Sequence, residues 1–526
     1  MNGFFVCVSA LLAASVASAS VLSTDWEWNT GSPEAIAAHA NEIAAAGVDG
    51  VCYFLWANDA DGRTVTSRGV MHEPVWRDGL FASQLSALRA MTAKPGLRES
   101  YLAFFRSPDR RFDWRDDAAW AIASNNLAVT ARIARKSGFV GLRADHEDYK
   151  LVRQFQRLKD DPPMDELRNL VRRRARETFG GAFAEFPAAK VSFSWFLSSS
   201  RGFFLAEDAR RAAEDAGDLW PAFVDGILDV LPSQAVIYDG DETAYEYRAE
   251  DFEYLIGVDS VRRGGIRLVS AENREKYVRQ VRYAPGIYVE MHCQTNAATK
   301  WYRAPWNGSK GNAFRRDFAR AFEAADDGLV WIFSEKHPIV DWGAKGCPNG
   351  GVGKVRVQDV LDGFGPSIRA IKDPAAFLRD DFNASLSSNV LGKIGSWFER
   401  DVGKFRMEAT GGRTGGTAYV LENALNGCLT CGVAAVPGEI YVIRASAKRS
   451  GGGFSATVRF NRGGKMRFFV PAKALSFGAP DANGWCMAEG VVVIPEGVDS
   501  FTLLLGAKQE KGESCRFSDI GIWRAF

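Results

Sequence analysis

One short stretch of the sequence carries the side chains best suited to chemistry. Residues 138–149 read GFVGLRADHEDY, and they place Asp145 and Glu147 at the carboxyl end of a predicted strand. Side chains alternate between the two faces of a strand, so these two carboxyl groups point the same way. Their repulsion raises the pKa of one group and leaves the other ionised, which is the combination that general acid catalysis needs. The alternative is a structural acidic turn that pairs with a base such as Arg143.

The elements that must position these groups alternate regularly along the chain. Each predicted strand but the first follows a predicted helix, the first of which covers 33–45, and a closing helix covers 357–371. The eight strands are 21–28, 51–56, 100–105, 139–145, 190–196, 235–239, 286–291 and 329–333. Eight strands alternating with eight helices over this length are typical of a (β/α)8 TIM barrel. A doubly wound open sheet is the alternative. Such a sheet is expected to have a G-x-G-x-x-G turn after an early strand, and the sequence has none there.

In a TIM barrel the active site lies at the carboxyl ends of the strands. Glycoside hydrolysis needs one carboxylic acid and one carboxylate there, and we assign Glu147 and Glu242 as the catalytic pair, with Asp145 and Asp239 as the groups that orient or tune them. Asp239 and Glu242 cannot share a face of one continuous strand, so that strand must end near Gly240. We also expect Arg143, one layer deeper, to bond a carboxylate of a neighbouring strand.

Aromatic and hydrogen-bonding side chains recur at the same strand ends. Flat aromatic faces flanked by acids match a sugar, which presents an apolar C–H face with hydroxyl groups around its rim. The predicted substrate-binding residues are Trp26, Trp28, Arg106, Tyr149, Trp195, Tyr245, Glu290, His292, Trp331 and Glu335.

Metal and cofactor chemistry is disfavoured. The five histidines are scattered and form neither H-x-H nor H-E-x-x-H, so we predict no metal site and no cofactor. Cys428 and Cys431 have the spacing of a metal knuckle, but no second pair of that spacing follows, and a disulfide or two buried thiols are favoured over zinc.

Composition and charge narrow the class of partner. A net charge of +1 gives no electrostatic reason to expect nucleic acid or an anionic membrane as a partner. Residues 1–19 resemble a secretory signal, with an apolar run followed by Ala17-Ser18-Ala19, and no later stretch could span a bilayer. We therefore expect a secreted or periplasmic protein whose mature chain keeps seven cysteines, an odd number. Its oligomeric state is left open.

The pattern of hydrophobic residues changes near residue 376. Helical periodicity gives way to short alternating runs separated by turns such as Pro437-Gly438 and 451–453. This pattern predicts an all-β jelly-roll sandwich over 376–526, after a barrel domain over 20–375.

The site motifs resemble known families. The segment 141–147 resembles the acidic end of strand four in chitinase-type barrels, without their leading Asp-Gly-x-Asp, and the pair Asp145 and Asp239 resembles that of α-galactosidase-type barrels. The closer resemblance is to uncharacterised secreted glycoside-hydrolase-like (β/α)8 barrels of environmental bacteria, through Asp145-x-Glu147-x-Tyr, Asp239-Gly-x-Glu242-x-x-Tyr and Trp331-x-x-x-Glu335-Lys. The last domain is similar to carbohydrate-binding jelly rolls.

These observations together predict an exported glycoside hydrolase that cleaves a polysaccharide or oligosaccharide through paired carboxylates. The first alternative is a non-catalytic carbohydrate-binding or cell-surface protein on a barrel scaffold. The second is a polysaccharide lyase, which would need a Tyr or His base beside a cation, and only Arg106 with Tyr149 or His292 offers that combination. The sugar, the linkage and the stereochemical outcome are left open.

Overall fold

A computed structural model describes most of the chain. The described residues are 20–24, 28, 31–59, 61–71, 74–77, 79–104, 110–148, 151–342, 355–380, 386–399, 402–466 and 470–525. The predicted signal sequence, 1–19, lies outside them. So do three of the predicted substrate-binding residues, Trp26, Arg106 and Tyr149.

The first eleven strands lie within the part of the chain predicted as a barrel. They are β1 (Ser20–Ser23), β2 (Gly50–Phe54), β3 (Trp56–Asn58), β4 (Thr64–Thr66), β5 (Tyr101–Phe104), β6 (Gly141–Ala144), β7 (Lys190–Phe193), β8 (Val236–Asp239), β9 (Val281–Tyr283), β10 (Gly286–Tyr288) and β11 (Leu329–Phe333). β3 and β4 form an antiparallel hairpin. The other nine form one curled parallel sheet, an open half-barrel, in the order β10-β11-β1-β2-β5-β6-β7-β8-β9.

The two ends of this sheet are neighbours in the sequence. β9 and β10 are separated only by Ala284 and Pro285. The Ala284 amide donates to the Asp239 carbonyl of β8 at 2.9 Å, and the Trp331 amide of β11 donates to the Pro285 carbonyl at 3.3 Å. This linking segment therefore bonds to the strands next to both ends of the sheet.

Helices alternate with the parallel strands. They are α1 (Pro33–Ala38), α2 (Ala40–Ala45), α3 (Leu85–Thr92), α4 (Asp117–Lys136), α5 (Met164–Glu185), α6 (Ala209–Asp215), α7 (Trp220–Val230), α8 (Glu253–Asp259), α9 (Arg274–Gln280), α10 (Val289–Cys293), α11 (Lys310–Ala324), α12 (Val357–Val360), α13 (Phe364–Lys372) and α14 (Pro374–Asp380). Their apolar faces, such as Leu127 of α4, Phe179 of α5 and Phe223 of α7, are buried in one core with the strands. Burial of these stripes is what stabilises the helices.

Most predicted elements are present, but several differ in their bounds. The predicted strands 21–28 and 190–196 end at Ser23 and Phe193. The predicted strand 286–291 stops at Tyr288, and α10 follows, because the Glu290 carboxylate is bound by the backbone of residues 335–337. These tertiary bonds outweigh the strand preference of the local sequence. The predicted helix 33–45 divides at His39 into α1 and α2, and 357–371 divides into α12 and α13.

The last part of the chain forms two antiparallel sheets. Its strands are β12 (Leu386–Asn389), β13 (Gly395–Phe398), β14 (Lys404–Glu408), β15 (Ala418–Glu422), β16 (Gly427–Ala434), β17 (Ile440–Arg449), β18 (Gly453–Arg462), β19 (Lys465–Met466), β20 (Lys473–Leu475), β21 (Cys486–Val493), β22 (Ser500–Lys508) and β23 (Ser514–Ala525). One sheet runs β14-β15-β23-β17-β21, with β12 on β23. The other runs β13-β16-β22-β18-β19, with β20 on β18. Their facing apolar side chains form a second core.

The two halves of the chain share apolar packing. Ile440, Val442, Val491 and Ala525, on the antiparallel sheet that contains β23, belong to the core of the parallel-sheet region. Arg316 of α11 donates a hydrogen bond to Glu496, which follows β21. The antiparallel sheets are therefore docked on the rest of the molecule by both apolar and ionic contacts.

The cysteines are thiols in the described part of the chain. Cys52, Cys293, Cys428, Cys431, Cys486 and Cys515 are free. Cys428 and Cys431 both lie on β16. Residues an odd number apart on a strand point to opposite faces, so these two thiols cannot meet in a disulfide or at one metal ion. None of the described helices is long and apolar enough to cross a membrane.

Candidate active site

A cavity opens where the parallel strands end. Its volume is about 90 Å³, room for about three water molecules, so it accommodates a reacting group and not a whole ligand. Three of the four carboxyl groups predicted as catalytic line it. The complete lining is Thr24, Cys52, Phe54, Arg68, Ala103, Arg143, Asp145, Glu147, Ser194, Glu242, Tyr245, Trp331 and Phe333.

Asp145 and Glu147 reach the cavity because β6 ends just before them. β6 ends at Ala144, and the Asp145 amide still bonds to the Phe104 carbonyl of β5 at 3.3 Å. The Glu147 amide then donates to the Asp145 carboxylate at 3.1 Å. This bond turns the backbone and holds the two residues in one local arrangement, with both side chains partly buried.

Glu242 reaches the same cavity through a sharp turn after β8. β8 ends at Asp239, and Gly240 lies so close to β7 that a Cβ there would be 2.3 Å from the Phe193 carbonyl oxygen. Asp241 adopts the left-handed conformation, with φ of 38°. The Glu242 amide bonds to the Ser194 carbonyl at 3.1 Å. The strand therefore breaks at the predicted glycine, and the break turns Glu242 inward.

The environment of Glu242 keeps its carboxyl group protonated at neutral pH. Burial, together with the negative charges of Glu147 and Asp145, raises the pKa of Glu242 to about 9 from an ordinary 4.5, against the opposing charge of Arg143. Two carboxyl groups that share a poorly solvated site resist ionising together. At neutral pH this cavity therefore holds one proton donor beside one or more carboxylates.

Arg143 lies under the acidic groups and is almost fully buried. Its guanidinium donates to Ser192 Oγ at 2.7 Å and Ser194 Oγ at 3.1 Å, both on or just after β7, and its Cζ lies 4.1 Å from the Trp331 ring centroid. The Ser194 hydroxyl in turn bonds Glu242 and acts to lower its pKa. The predicted bond from Arg143 to a neighbouring carboxylate is thus replaced by a serine-mediated link.

Aromatic rings form one wall of the cavity. Tyr245 lies 5.2 Å from Trp331 and 6.1 Å from Phe333, centroid to centroid, and its ring is nearly parallel to that of Phe333. Tyr288 stacks on both Tyr245 and Phe333 from behind. The Trp331 indole donates to the Gly240 carbonyl at 2.9 Å, which ties the aromatic wall to the turn that carries Glu242.

Asp239 does not line the cavity. It is fully buried, and its carboxylate accepts hydrogen bonds from the amides of Phe196 at 3.0 Å and Ser198 at 2.9 Å and from the Ser198 hydroxyl. These bonds fix the segment after β7. Asp241, also fully buried, accepts from Arg201, Tyr247 and Tyr283, and burial raises its pKa to about 6.

Two further predicted residues, Glu290 and His292, lie on α10 and outside the cavity lining. Burial would raise the pKa of Glu290, but the bond and charge of His337 and the bonds of Ser334 and the Lys336 amide hold it down to about 2. His292 is buried 3.5 Å from Asp317, and burial together with nearby cations lowers its pKa well below its ordinary value.

The remaining described candidates also lie away from the cavity. Trp28 is fully buried and donates its indole N–H to Ser23 Oγ at 2.7 Å. Trp195 is partly buried with its ring 6.0 Å from that of His146. Glu335 is exposed and accepts from the Tyr288 hydroxyl at 3.0 Å. Of the predicted substrate-binding residues, the structure brings Tyr245 and Trp331 together with the carboxyl groups.

The cavity also contains residues that the sequence reasoning missed. Arg68 and Phe54 line it, and Arg68 follows the β3–β4 hairpin, a segment without a periodic signal. Ser194 could have been found, because it has the same strand parity as Ser192, which lies beside Arg143 in the β6–β7 register. In the described ranges no group of three or more His, Cys, Asp or Glu residues could hold a metal ion.

No family model and no curated protein matches the sequence. Solved structures similar to part of the chain include the enzymatically active domain of tailspike protein 4 of bacteriophage CBA120, at 14% identity and a TM-score of 0.21, over 25% of this chain and 19% of that one. The CBM22-1–GH10 modules of xylanase 10B from Clostridium thermocellum, complexed with xylohexaose, match at 12% identity and a TM-score of 0.22, over 27% of this chain and 29% of that one. The CBM22-1 xylan-binding domain of Paenibacillus barcinonensis Xyn10C matches at 14% identity and a TM-score of 0.21, over 27% of this chain and 97% of that one. At these TM-scores none of the likenesses bears on function.

Proposed function

We propose that this chain is a glycoside hydrolase with Glu242 as the general acid and Glu147 as the nucleophile or general base. The observation that carries the proposal is that these two residues line one cavity with Asp145, beside an aromatic wall, and that Glu242 has a pKa of about 9. Glycoside hydrolysis needs a protonated carboxyl group and an ionised one on either side of the scissile bond.

The proton would move between defined groups. Glu242 gives its proton to the glycosidic oxygen as the C–O bond breaks, while Glu147 either attacks the anomeric carbon or takes a proton from an attacking water. If Glu147 forms an ester, its negative charge disappears, and so does one of the charges that raise the pKa of Glu242. Glu242 can then remain ionised long enough to accept a proton from the incoming water.

Neighbouring groups would support this step without touching the sugar. Arg143, linked to Glu242 through Ser194, stabilises the carboxylate that Glu242 becomes after proton transfer. Asp145 holds the backbone of Glu147 through its 3.1 Å bond. We assign Asp239 a positioning role, because its hydrogen bonds fix the segment after β7 and it does not line the cavity.

We further propose that the parallel sheet closes as a (β/α)8 barrel, with β9 and β10 as two halves of one interrupted strand. The bonds of Ala284 to β8 and of Pro285 to β11 support this reading. The domains would then be the barrel over 20–375 and the sandwich over 376–526. We also propose that the protein is exported, with residues 1–19 as its signal sequence.

The test is a screen of the chain from Ser20 onward against polysaccharides and aryl glycosides, with release of reducing ends or phenol as the readout. Glu147→Gln and Glu242→Gln should each reduce turnover by about 100-fold or more, while sugar binding persists. The matched control is Glu246→Gln, an exposed carboxyl group on the same turn as Glu242 and outside the cavity lining.

The rates with different leaving groups separate the two roles. An activated aryl leaving group needs little protonation, so Glu242→Gln should retain more activity on 4-nitrophenyl glycosides than on polysaccharide, whereas Glu147→Gln should lose both. Full activity in either variant would remove that residue from the catalytic pair. Binding of a glycan without any turnover would favour a non-catalytic carbohydrate-binding protein.

A further inference from the structure

One tryptophan of the antiparallel sheets lies on an open surface. Trp397 of β13 is 53% exposed, and it is the one exposed tryptophan among those that the structure describes. Its indole stacks on no other ring and on no cation in the described ranges. Tryptophan is highly buried on average and is enriched where proteins bind a partner. The groups that surround Trp397 therefore decide what its free ring can bind.

The sheet that carries Trp397 turns this side chain away from both cores. Leu429 and Cys431 of β16 belong to the core between the two sheets, so Cys428 and Thr430 point to the outer face. Trp397 is paired with Cys428 and lies on the same outer face. The strands that pack on the parallel-sheet region are β17, β21 and β23 of the other sheet. That packing leaves the outer face of Trp397 uncovered.

Hydrogen-bonding groups flank the indole along the strands. The Glu399 amide donates to the Asn426 carbonyl at 2.9 Å and continues the pairing of β13 with β16 beyond Trp397. The Asn426 side chain donates to the Glu399 carboxylate at 2.8 Å, and both residues are exposed. On the other side of Trp397, Thr430 is paired with Gly395. The ring thus has a carboxylate and an amide on one side and a hydroxyl group on the other.

Across the strands the surface beside Trp397 is low. Cys428 is paired with Gly506 of β22, and Gly506 is paired with Ser455 of β18. Gly506 has no side chain, so the indole stands above the middle of this row. Four strands about 4.8 Å apart make the row about 14 Å long. A row of this length is longer than one sugar ring.

The charged groups of this face have both signs. Glu399 is acidic, whereas Lys508 of β22 and Arg459 of β18 are basic, and all three lie on strands or strand ends of the same face. A protein partner would need a contiguous apolar core around the ring. The groups next to Trp397 are instead polar side chains, a thiol and glycine. An aromatic ring in polar surroundings is complementary to a pyranose, which presents an apolar C–H face with hydroxyl groups around its rim.

We propose that this outer face binds an uncharged glycan chain, with one sugar ring on the Trp397 indole and the following rings across β16 and β22 toward Ser455. The site is separate from the cavity, whose lining lies entirely in the parallel-sheet region. The inference does not rest on the proposed hydrolase function.

Titration calorimetry tests the site in the full chain from Ser20. The Glu147→Gln background prevents cleavage, and the probes are xylohexaose, cellohexaose, maltohexaose and mannohexaose. At least one hexasaccharide should bind, and more tightly than the disaccharide of the same linkage, because the row is longer than one ring. Trp397→Ala should weaken this binding at least about 10-fold, as for a central tryptophan of a binding site. Trp397→Phe should restore part of it.

Two further variants separate binding from folding. Thr430→Val removes one hydroxyl group and should weaken binding about 5-fold. The matched control is Met407→Ala, a 65% exposed apolar residue of β14 in the other sheet, which should leave binding unchanged. Because Trp397 is exposed, Trp397→Ala should also keep the unfolding midpoint of its parent.

Oxidation of tryptophan by N-bromosuccinimide locates the bound glycan without a mutation. Peptide mass mapping should show that the bound hexasaccharide slows the oxidation of Trp397. The partly exposed Trp523 of β23, on the other sheet, is the internal control and should react at the same rate with and without the glycan.

Three results would overturn the inference. They are no binding of any of the four hexasaccharides, binding that survives Trp397→Ala, and a dimer in light scattering that Trp397→Ala converts to a monomer. The last result would make this face a contact between two copies of the chain.

Failure of this inference and failure of the hydrolase proposal give different results. If a hexasaccharide binds through Trp397 but the unmodified chain cleaves no glycoside, the glycan site stands and catalysis is excluded. If glycosides are cleaved but no binding depends on Trp397, the hydrolase proposal stands and the glycan site is excluded.

Discussion

Replacing Glu242 with glutamine should make the protein more stable at neutral pH. The folded state holds the Glu242 proton up to a pKa of about 9, whereas the unfolded chain releases it near 4.5. The raised pKa contributes stability in full below about pH 4.5, and this contribution is lost as the pH rises toward 9. Glutamine resembles the protonated acid and has no proton to lose, so the variant escapes this loss.

The size of the effect follows from the two pKa values. Each pH unit between them changes the free energy of unfolding by about 1.4 kcal/mol. Between pH 5 and pH 7.5 the unmodified protein should therefore lose about 3 kcal/mol that Glu242→Gln keeps. Because the charge of Glu147 contributes to the raised pKa of Glu242, this difference belongs to the pair and not to one residue.

Urea unfolding of both proteins at pH 5, 6, 7 and 8 measures this difference. The groups outside the pair Glu147 and Glu242 titrate alike in both proteins. The change with pH in the difference between the two unfolding free energies therefore measures the titration of the pair. Glu246→Gln, an exposed carboxyl group on the same turn, is the control and should follow the unmodified protein. If the curves of Glu242→Gln and the unmodified protein run parallel from pH 5 to pH 8, Glu242 is not protonated and cannot be the general acid.

Two other carboxyl groups should show different behaviour. Asp239→Asn removes charge-assisted bonds to the Phe196 and Ser198 amides, so it should lower the free energy of unfolding in urea by about 2–4 kcal/mol. The same variant should also lose turnover. An unchanged unfolding midpoint would contradict the positioning role. Glu290→Gln should destabilise by about 3 kcal/mol at pH 7 and by about 1 kcal/mol at pH 3, because the lowered pKa stabilises above 4.5 and this stability is lost as the pH falls toward 2. The control is Glu335→Gln, on the loop that Glu290 binds, which should change the free energy of unfolding by less than about 1 kcal/mol at either pH. If Glu290→Gln loses the same stability at both pH values, the charge of Glu290 does not matter.

The sequence predicted the carboxyl groups of the cavity better than their surroundings. The acidic run after β6 predicted that Asp145 and Glu147 lie together, although a turn beyond the strand and not strand alternation brings them to the cavity. A glycine in the middle of a second acidic run predicted the break before Glu242. These are local signals, written in a few consecutive residues. β11 was likewise predicted at its observed bounds, Leu329–Phe333, because five consecutive apolar residues occur between turns.

What the sequence could not predict depends on contacts between distant segments. The sequence assigned Asp239 to orient or tune the catalytic pair, but it could not show that amides of the segment after β7 bind its carboxylate, whereas Glu242 faces the cavity. Glu290 is followed by apolar and polar residues that fit a strand, and only its bonds to residues 335–337 make that segment a helix. Arg68 has no periodic neighbours, so its position depends on where the hairpin folds.

The packing shared by the two halves of the molecule limits how the gene can be rearranged. Ile440, Val442, Val491 and Ala525 give the antiparallel sheet that contains β23 an apolar outer face completed by the parallel-sheet region, and Glu496 completes the ion pair of Arg316. A recombination that joined either half to a foreign neighbour would expose this surface to water and leave the buried Arg316 guanidinium with Glu250, at 3.5 Å, in place of its closer pair with Glu496. The two halves must therefore be inherited, and must diverge, as one unit.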